Sequence, residues 1–478
     1  IPGLGAKKIK VIYDNLGISS IEELEKAARA HKIRELPGMG VKTEQSILKG
    51  IQTLKGQGDR VQLAIALPVA NRIMEILSGM KEVSKVAIAG SLRRRKEMVK
   101  DIDIVVATEA AETLVENFLK LPIISRVLAE GLSKVSVVLN AGIQVDLRLV
   151  KPQEFYSALQ HFTGSKEHNT KLRSLALKMG YKLNEYGIFE KEGDGVFCPK
   201  SETELYSKLD MPYIIPELRE DRGEIEAALQ DGLPDLVKLE DIRGDLHLHS
   251  DFSDGVSSIE EMVKKAKELG YEYIAITDHS KSLKVARGLD ESSLRQQLEL
   301  IKGINERVKG IRILTGIEVD ILPDGSLDFD DDILKELDVV IASIHSGFKQ
   351  DKTTITSRIV NACHNRYVNI IAHPTGRLLG RREPYDVDMD EVFEAAAKTG
   401  TVLEINSSPD RLDLNDVNVK RAAEMGIKIA INTDAHGTEA LSDMMYGVWV
   451  ARRGWLAAEN IINTYSLEQL LEFLKVMK

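Results

Sequence analysis

The spacing of apolar residues in the second half of the chain alternates between two periods. Short runs with a period of two, typical of strands, are separated by stretches with helical spacing such as "SIEEMVKKAKELG" and "MDEVFEAAAKTG". We identify seven strand-like runs: "GDLHLH", "YIAITDH", "IRILTGIE", "DVVIASIH", "NIIAHP", "TVLEIN" and "IAINTDAH". Regular alternation of strands and helices predicts a parallel sheet or a βα barrel over residues 242–478.

The first half mixes the two periods less regularly. Residues 61–151 contain four strand-like runs, "VAIAG", "DIDIVVA", "KVSVVL" and "IQVDLRLV", and residues 152–225 are mostly helical around one "FTGS" turn. Residues 226–241 contain "DGLPDL", which is typical of a linker. With residues 1–60 as a separate segment, the pattern predicts a multidomain α/β protein, and 478 residues suit about three domains.

A near-repeat lies within the first 60 residues, because "IPGLGAKKIK" at residue 1 returns as "LPGMGVKTEQ" at residue 36. Two glycines ahead of a helix allow a tight turn that leaves backbone N–H groups free for a phosphate. One copy alone indicates an ordinary helical hairpin turn, whereas two copies favour phosphate contact. The repeat resembles the helix-hairpin-helix motif, which holds a DNA backbone without reading bases. The candidate DNA-binding residues are Gly3, Gly5, Lys7, Gly38, Gly40 and Lys42.

Charge is distributed unequally between the two halves. Residues 1–200 carry 31 Lys and Arg against 23 Asp and Glu, whereas residues 201–478 carry 33 against 51, and the whole chain has a net charge of −10. The basic half indicates a polyanionic partner such as nucleic acid, and the acidic half indicates solvated surface with metal ligands. No run of 18 apolar residues is present, and the two cysteines are far apart. We therefore expect a cytoplasmic, nucleoid-associated monomer that does not bind membranes.

Paired carboxylates mark the strand "DIDIVVA". Asp101 and Asp103 are two residues apart, so both point to one face, and Asp146 in "QVDLRLV" supplies a third acid on another strand. Clustered carboxylates repel one another and need divalent cations or arginines between them. This set is typical of a two-Mg²⁺ site for in-line phosphoryl transfer, with Ser91, Arg93 and Arg94 placed to meet a triphosphate. The alternative is a solvated strand beside a basic loop, which leaves the alternation with isoleucine unexplained.

Three motifs, "GSLRRRKEMVKDIDIV", "VDLRL" and "FTGSKEHN", together resemble family X DNA polymerases of the nucleotidyltransferase superfamily, over residues 1 to about 225. The resemblance implies a nucleotidyltransferase palm with a mixed sheet over residues 61–151 and a helical thumb over residues 152–225. It implies that Asp101, Asp103 and Asp146 bind catalytic Mg²⁺ or Mn²⁺. The implied nucleotide-binding residues are Gly90, Ser91, Arg94, Arg148, Phe162, Gly164, Ser165 and Asn169, and Arg173 is an implied template contact. His161 stands where many members have tyrosine.

Histidines and carboxylates recur near the ends of the predicted strands in the second half. Nine of them fall at or just past a carboxyl end, on the face where barrel active sites form. They are His247, His249, Asp254, His279, Glu318, His345, His373, Asp434 and His436. A lone buried histidine is more often structural, but six strand-end histidines indicate metal ligands. The mixture of nitrogen and oxygen ligands suits two or three ions of Zn²⁺, Mn²⁺ or Fe²⁺ better than Mg²⁺ alone.

The spacing of these nine residues resembles the polymerase-and-histidinol-phosphatase (PHP) domain, a metal-dependent phosphoesterase with a distorted seven-stranded βα barrel. A family X core followed by this domain resembles the bacterial and archaeal form of the enzyme. The resemblance implies gap-filling synthesis from deoxynucleoside triphosphates on gapped, nicked or primer-template DNA, with a metal-dependent 3′→5′ exonuclease, in base excision repair. Some relatives also cut at abasic sites. Nearby basic residues that could bind DNA phosphates are Lys281, Arg287, Arg377 and Arg411.

Two other functions stay open from the residues alone. The second half could be a phosphatase of small phosphate monoesters, with histidinol phosphate as the precedent in the family. The whole chain could instead be a DNA-bound scaffold whose palm is catalytically idle, although all three palm aspartates are present.

Overall fold

The computed structural model describes residues 6–18, 21–41, 43–45, 47–48 and 60–477. The chain divides into two compact units, Ile1–Val61 and Gln62–Lys478. In the part of the chain that is described, no helix combines the length and the apolar character needed to cross a membrane.

The first unit begins with two amphipathic helices, α1 (Ala6–Leu16) and α2 (Ile21–Arg29), and has helical backbone again at residues 41, 43–45 and 47–48. Its core consists of Ile12, Leu24, Ala28, Ile33, Met39 and Ile47. Gly38 has a φ of +72°, and among the described residues no heavy atom lies near the Cβ position of Gly38 or of Gly40. The chain therefore makes a turn here before a helical segment, as the second copy of the near-repeat predicts. Gly3, Gly5, Lys42 and the side chain of Lys7 lie outside the described residues.

The palm is a five-stranded mixed sheet that contains the four predicted strands and a fifth, at residues 124–129, that the sequence analysis missed. Its strands are β1 (Lys85–Ile88), β2 (Asp101–Ala107), β3 (Ile124–Ala129), β4 (Lys134–Leu139) and β5 (Gln144–Val150). Their order in the sheet is β1-β2-β5-β4-β3, in which only β2 and β5 are parallel. The palm helices are α3 (Leu63–Ser78), the short α4 (Gly90–Arg93) and α5 (Ala111–Leu119), and two-residue strands occupy Val61–Gln62 and Met98–Val99.

The next segment is helical, but it also contains a small antiparallel sheet that the sequence analysis missed. Its helices are α6 (Phe155–Thr163), α7 (Lys166–Lys178), α8 (Glu202–Ser207) and α9 (Glu224–Leu229), and its strands are β6 (Tyr181–Asn184), β7 (Gly187–Glu190) and β8 (Val196–Phe197). The Asn184 side chain accepts hydrogen bonds from the N–H groups of Tyr186 and Gly187 and closes the hairpin. These strands have only two to four residues, and none of them lies within a longer apolar run that would indicate a strand in the sequence.

The barrel contains all seven predicted strands, each parallel to its neighbour in chain order. They are β9 (Gly244–Leu248), β10 (Tyr273–Ile276), β11 (Arg312–Asp320), β12 (Val339–Ser343), β13 (Ile370–Ile371), β14 (Val402–Asn406) and β15 (Ile429–Asn432). The accompanying helices are α10 (Ile259–Glu268), α11 (Glu291–Arg307), α12 (Asp331–Leu334), α13 (Lys352–His364), α14 (Met389–Thr399), α15 (Asp416–Glu424), α16 (Met444–Arg453) and α17 (Leu467–Met477). A parallel bridge between Leu248 and Ala435 joins the last strand region to the first, so the sheet nearly closes.

Alternate residues of the barrel strands pack on opposite sides. One face, including Ile274 and Val340, packs against the surrounding helices. The other face, including Ala275 and Ile341, forms an interior cluster that Leu470 of α17 joins. Because side chains alternate along a strand, an inward-facing position at the end of a strand points into the barrel mouth. This geometry places the candidate ligands together.

Candidate active sites in the palm and the barrel

The three palm aspartates lie side by side on two adjacent strands. In the parallel pairing of β2 with β5, Asp103 is directly opposite Asp146, and Asp101 is two residues earlier on the same strand. Since residues two apart share a face, the three carboxylates face one region of the sheet. The sequence analysis predicted a common face, and the register supplies the close approach of Asp103 to Asp146.

The charges of these carboxylates are poorly compensated by the protein. Burial, followed by the charges of Asp101 and Asp146, raises the pKa of Asp103 to about 7. Burial and the charge of Asp146 also raise the pKa of Asp101. Burial acts on Asp146 too, but Lys134, with its ammonium 2.7 Å from the carboxylate, and other hydrogen bonds outweigh it and lower its pKa. A divalent cation between these oxygens would remove the repulsion that raises the first two pKa values.

Gly90 is required by the close approach of the α4 backbone to this carboxylate group. It has a φ of +61°, and a Cβ atom at this position would lie 2.2 Å from Oδ2 of Asp103. A glycine therefore allows the turn after β1 to reach the metal-binding edge of the sheet.

The remaining predicted nucleotide-binding residues gather around the turn between α6 and α7. The guanidinium of Arg148 lies 4.7 Å from the ring centroid of Phe162, and Arg94 donates to the carbonyl of Thr163. A Cβ atom on Gly164 would lie 3.0 Å from Nη1 of Arg94. Ser91 is half-buried within α4.

Two residues of this turn also have a clear structural role. The hydroxyl of Ser165 caps α7 by accepting from the N–H of His168 at 3.2 Å. Asn169 accepts from Gln160 at 2.8 Å and donates to the carbonyl of His161 at 2.7 Å, and Arg173 donates to the carbonyl of Asn169. These contacts fix the turn, and the contacts to a nucleotide or template stay predictions.

The nine predicted barrel ligands converge on one buried centre. Glu318 lies in the middle of this centre. One of its carboxylate oxygens is 3.0 Å from Nε2 of His373 and 3.4 Å from Nε2 of His345. The other oxygen is 2.7 Å from Nδ1 of His279 and 3.6 Å from Nε2 of both His247 and His249. Five imidazoles from four other strand ends thus face a single carboxylate.

The other two predicted carboxylates complete the centre on one side. Oδ1 of Asp434 is 3.0 Å from Nε2 of His249, and Oδ1 of Asp254 is 3.3 Å from Nε2 of His436. Within the described residues, three sets have ligand atoms close enough to share an ion: His249, Asp254, His279 and His436; His247, His249 and Glu318; and His279, Glu318 and His345. The shared members suit two or three neighbouring ions.

Three of the imidazoles are oriented by a hydrogen bond between their Nδ1 atom and an oxygen. Nδ1 of His247 is 2.8 Å from Glu404, and Nδ1 of His345 is 2.6 Å from Asp320, while Nδ1 of His436 is 2.8 Å from the carbonyl of Asp434. A hydrogen bond at Nδ1 fixes the tautomer in which Nε2 is the free ligand atom. The sequence analysis missed Glu404 and Asp320, and their signal was an acid inside the apolar runs "TVLEIN" and "IEVD".

The electrostatics of the barrel centre favour charged acids and a neutral central histidine. Burial opposes ionisation of Glu318, but the imidazoles of His345, His279 and His247 outweigh it and lower its pKa well below the usual value. The pKa of Asp434 is lowered in the same way, chiefly by His247 and His249 against the effect of burial. Burial and two neighbouring imidazoles lower the pKa of His249 to about 3. Against the effect of burial, the neighbouring acids raise the pKa values of His247 and His279, and they raise that of His436 to about 9. These imidazoles must lose a proton when they bind a metal, whereas His249 is already neutral.

The donor atoms of this centre are better satisfied by metal ions than by hydrogen bonds to one another. Nε2 of His247, both ring nitrogens of His249 and Oε2 of Glu318 are buried without a hydrogen-bond partner. A buried polar atom without a partner is costly, and metal coordination satisfies it.

Two of the basic residues suggested as DNA contacts have different surroundings. Arg411 lies at the centre, with Nε 3.4 Å from Oδ2 of Asp434. Arg377 is almost buried and forms a bidentate ion pair with Glu97, at 3.0 and 2.6 Å, which joins the barrel to the palm. The suggestion that Arg377 binds a DNA phosphate does not agree with these surroundings, because its side chain is almost buried and paired with Glu97.

Comparison with known proteins matches the three parts of the chain in order. Family models described as the SAM-like helix-hairpin-helix tandem, the DNA polymerase beta thumb and the PHP domain match residues 1–53, 158–220 and 245–408. The DNA polymerase/3′-5′ exonuclease PolX of Bacillus subtilis (strain 168) is 45% identical over 477 residues, which cover 99% of this chain and 83% of that protein. The chain belongs to the PolX family. Its palm, thumb and PHP barrel have the fold class predicted from the sequence.

Other relatives cover only one part of this PolX chain. A "probable phosphatase" of Thermoanaerobacter sp. (strain X514) is 32% identical over 246 residues, 49% of this chain and 95% of that protein. A solved structure of Leishmania infantum polymerase beta, a ternary P/T complex, is 22% identical and covers 46% of this chain and 95% of its own, with a TM-score of 0.31.

Proposed function

We propose that this PolX protein is a DNA polymerase with a 3′→5′ exonuclease, and that it performs the two reactions at two separate centres. The observation that carries the proposal is the presence of two separate clusters of candidate metal ligands in one chain. Three aspartates lie on neighbouring palm strands, and in the barrel seven of the nine predicted ligands form three sets close enough to share an ion, with His373 and Asp434 beside them. The PolX of Bacillus subtilis has the two activities in its name.

The palm is the centre for nucleotide addition. Asp101, Asp103 and Asp146 would hold Mg²⁺ or Mn²⁺, which supplies charge neutralisation for in-line transfer of a nucleotidyl group. Ser91 and Arg94 hold the triphosphate by hydrogen bonds and charge. Arg148, Phe162, Gly164, Ser165 and Asn169 form the surface beneath the sugar and base.

The partners are DNA and deoxynucleoside triphosphates. The open turn at Gly38 and Gly40 would let backbone N–H groups approach a phosphate, which holds DNA in position without reading bases. The sequence also indicates Gly3, Gly5, Lys7 and Lys42 as phosphate contacts and Arg173 as a template contact. The substrates are gapped, nicked or primer-template DNA.

The barrel is the centre for removal of the 3′ nucleotide. Its nine ligands would hold two or three ions of Mn²⁺, Zn²⁺ or Fe²⁺, which activate water and stabilise charge on a phosphate. Glu404 and Asp320 hold His247 and His345 in the required tautomer. Arg411, beside Asp434, is placed to bind a phosphate oxygen.

A second candidate function for the barrel is hydrolysis of small phosphate monoesters. The match of 32% identity to a probable phosphatase favours it, and metal ions that activate water against a phosphodiester can also act on a monoester. Release of inorganic phosphate from histidinol phosphate at a rate above that of DNA degradation would support this function, and absence of release would exclude it.

One assay tests the main proposal. A labelled primer on gapped, frayed and single-stranded DNA is incubated with Mg²⁺ or Mn²⁺, with and without nucleotides. We expect extension on the gapped substrate and shortening from the 3′ end without nucleotides. His345→Ala should lower the bound transition metal, measured by emission spectroscopy, together with the shortening rate. Unchanged metal content in this variant would contradict the role of His345 as a ligand.

A further inference from the structure

The loop after α4 is held by the barrel as well as by the thumb. Arg93 pairs with Glu202, and Nη1 of Arg93 donates to the hydroxyl of Thr163 at 2.8 Å. On the other side, the guanidinium of Arg95 lies 4.2 Å from the ring centroid of Trp449 in α16 of the barrel. Glu97 ends the loop in its bidentate pair with Arg377. The loop that carries Arg94 is thus clamped between two parts of the molecule.

The clearest contact at this junction is made by Arg453, the last residue of α16. Its side chain is only 3% exposed. Nη1 donates to the backbone carbonyl of Arg94 and, at 3.1 Å, to Oε1 of Glu220, and Nη2 donates to Asp416 at 2.6 Å. A buried arginine with this many charge-assisted partners has a fixed position, because each partner restricts the planar guanidinium.

Glu220 is shared between Arg453 and the predicted triphosphate ligand Arg94. Nε of Arg94 is 3.0 Å from the same oxygen, Oε1, and the ammonium of Lys96 is 3.5 Å from Oε2. Burial opposes ionisation of Glu220, but Arg453, Arg94 and Lys96 outweigh it and lower its pKa. Glu220 is therefore ionised, and the three cations Arg453, Arg94 and Lys96 compete for its carboxylate.

This competition affects how easily the side chain of Arg94 can give up its contact with Glu220. A guanidinium that holds a triphosphate must give up its contact with Glu220, and a buried carboxylate left without a cation is strongly destabilised. Arg453 keeps Glu220 paired when Arg94 turns away. It also holds the Arg94 backbone, so that only the side chain has to move.

We propose that Arg453 of the barrel is a positioning residue for nucleotide addition in the palm, because it fixes the backbone of Arg94 and releases the Arg94 side chain from Glu220. Trp449 supports the same loop through Arg95. The barrel therefore contributes to nucleotide binding by the polymerase in addition to its own reaction. This inference rests on the proposed role of Arg94 in the palm.

The test is steady-state insertion of one nucleotide on gapped DNA. Without Arg453, Glu220 holds Arg94 more tightly, so Arg453→Met should raise the KM for the nucleotide about tenfold while kcat stays within about twofold. The Kd for gapped DNA and the rate of single-strand degradation should stay within about twofold of wild type. Arg295→Met is the matched control, since Arg295 forms an exposed bidentate pair with Glu336 on the barrel surface, and it should change none of these values.

A second substitution separates release of Arg94 from a general loss of structure. Neutralising the competing carboxylate in Arg453→Met with Glu220→Gln should return the KM to within about threefold of wild type. An unchanged KM in folded Arg453→Met, or a KM that Glu220→Gln does not restore, would overturn the inference. Failure of the wild-type protein to add any nucleotide would instead overturn the proposed function.

If Arg453→Met does not fold, as judged by circular dichroism, Trp449→Leu gives an independent measurement. The Trp449 ring is half-buried, and its loss removes the support beneath Arg95 without leaving a buried charge. We expect the KM for the nucleotide to rise about threefold with exonuclease activity unchanged. An unchanged KM in this folded variant would contradict the proposal.

Discussion

The palm and the barrel each hold several carboxylates close together, but they differ in how far neighbouring residues compensate the negative charge. In the palm, Asp101 and Asp103 face a third acid with little compensation, and their pKa values are raised. In the barrel, imidazoles surround Glu318 and Asp434, and the pKa values of these acids are lowered well below normal. The acids are similar, and their neighbours determine whether they are charged.

This difference indicates two kinds of metal site. An all-oxygen site with uncompensated charge binds hard ions that arrive with the substrate and leave with the product. A buried site of mixed nitrogen and oxygen ligands retains borderline ions, because several of its buried donor atoms form no hydrogen bond with another described residue. We therefore expect nucleotide addition to depend on added metal, and degradation to depend on metal that is carried with the protein.

The largest expected effect is a loss of nucleotide addition in the palm while degradation in the barrel continues. Asp101→Ala removes a metal ligand where the charge of the transition state develops, and nucleotide addition should fall about 10³-fold or more. Degradation of single-stranded DNA should stay within about twofold, because the barrel ligands are untouched. Both are measured on one labelled primer after circular dichroism, with Glu109→Ala, an exposed acid just past β2, as the control. Loss of both activities in a folded, DNA-binding variant would mean that the centres are not independent.

The reciprocal change acts on the shared carboxylate of the barrel. Glu318→Gln keeps the shape but removes the charge that five imidazoles face, so bound transition metal and the degradation rate should fall together, the rate by about 10²- to 10³-fold. Nucleotide addition with Mg²⁺ should continue. Metal is measured by emission spectroscopy, and Glu306→Gln on the exposed face of α11 is the control. Full metal content in Glu318→Gln would show that the charge of Glu318 is not needed to hold the ions.

A smaller effect tests how closely the palm backbone fits its carboxylates. Gly90→Ala places a Cβ atom 2.2 Å from Oδ2 of Asp103, so the carboxylate must move, and nucleotide addition should fall about 10²-fold. Gly142→Ala is the matched control, because Gly142 has a similar positive φ of +78° with no heavy atom near its Cβ position. Equal losses in the two variants would assign the effect to backbone strain alone.

The smallest effect is a pH dependence confined to the palm acids. Because the pKa of Asp103 is raised to about 7, this carboxyl is mostly protonated at pH 6 and must lose its proton before it binds Mg²⁺. The apparent Mg²⁺ affinity for nucleotide addition should therefore fall by up to about tenfold per pH unit below pH 7 and level off above pH 8. Mg²⁺ titrations of single-nucleotide insertion between pH 5.5 and 8.5 measure this. A constant affinity over that range would show that the palm acids are already compensated.

Much of the fold was predictable from the sequence because it depends on local periodicity. The seven barrel strands and four of the five palm strands were found from runs of five to eight residues, and each of these runs coincides with a strand of the structure. The palm strand β3 was missed because its residues are mostly exposed and show no apolar alternation. The three thumb strands were missed because, unlike the short barrel strand β13, they do not lie within a longer apolar run. The convergence of the nine predicted barrel ligands could be predicted for a different reason: parallel strands bring their carboxyl ends to one edge, so residues at strand ends meet whatever separates them in the chain.

The sequence by itself determined which residues carry the chemistry, since the identity and spacing of Asp101, Asp103 and the strand-end histidines already indicate two metal sites. Only the tertiary structure decided how these residues are charged and held. The support of His247 by Glu404 spans 157 residues, and the contact of Arg453 with the backbone of Arg94 spans 359. Contacts of this range depend on the packing of domains and on burial, and burial sets the strength of each charge interaction. The linear pattern of residues contains neither the packing of the domains nor the burial of each side chain.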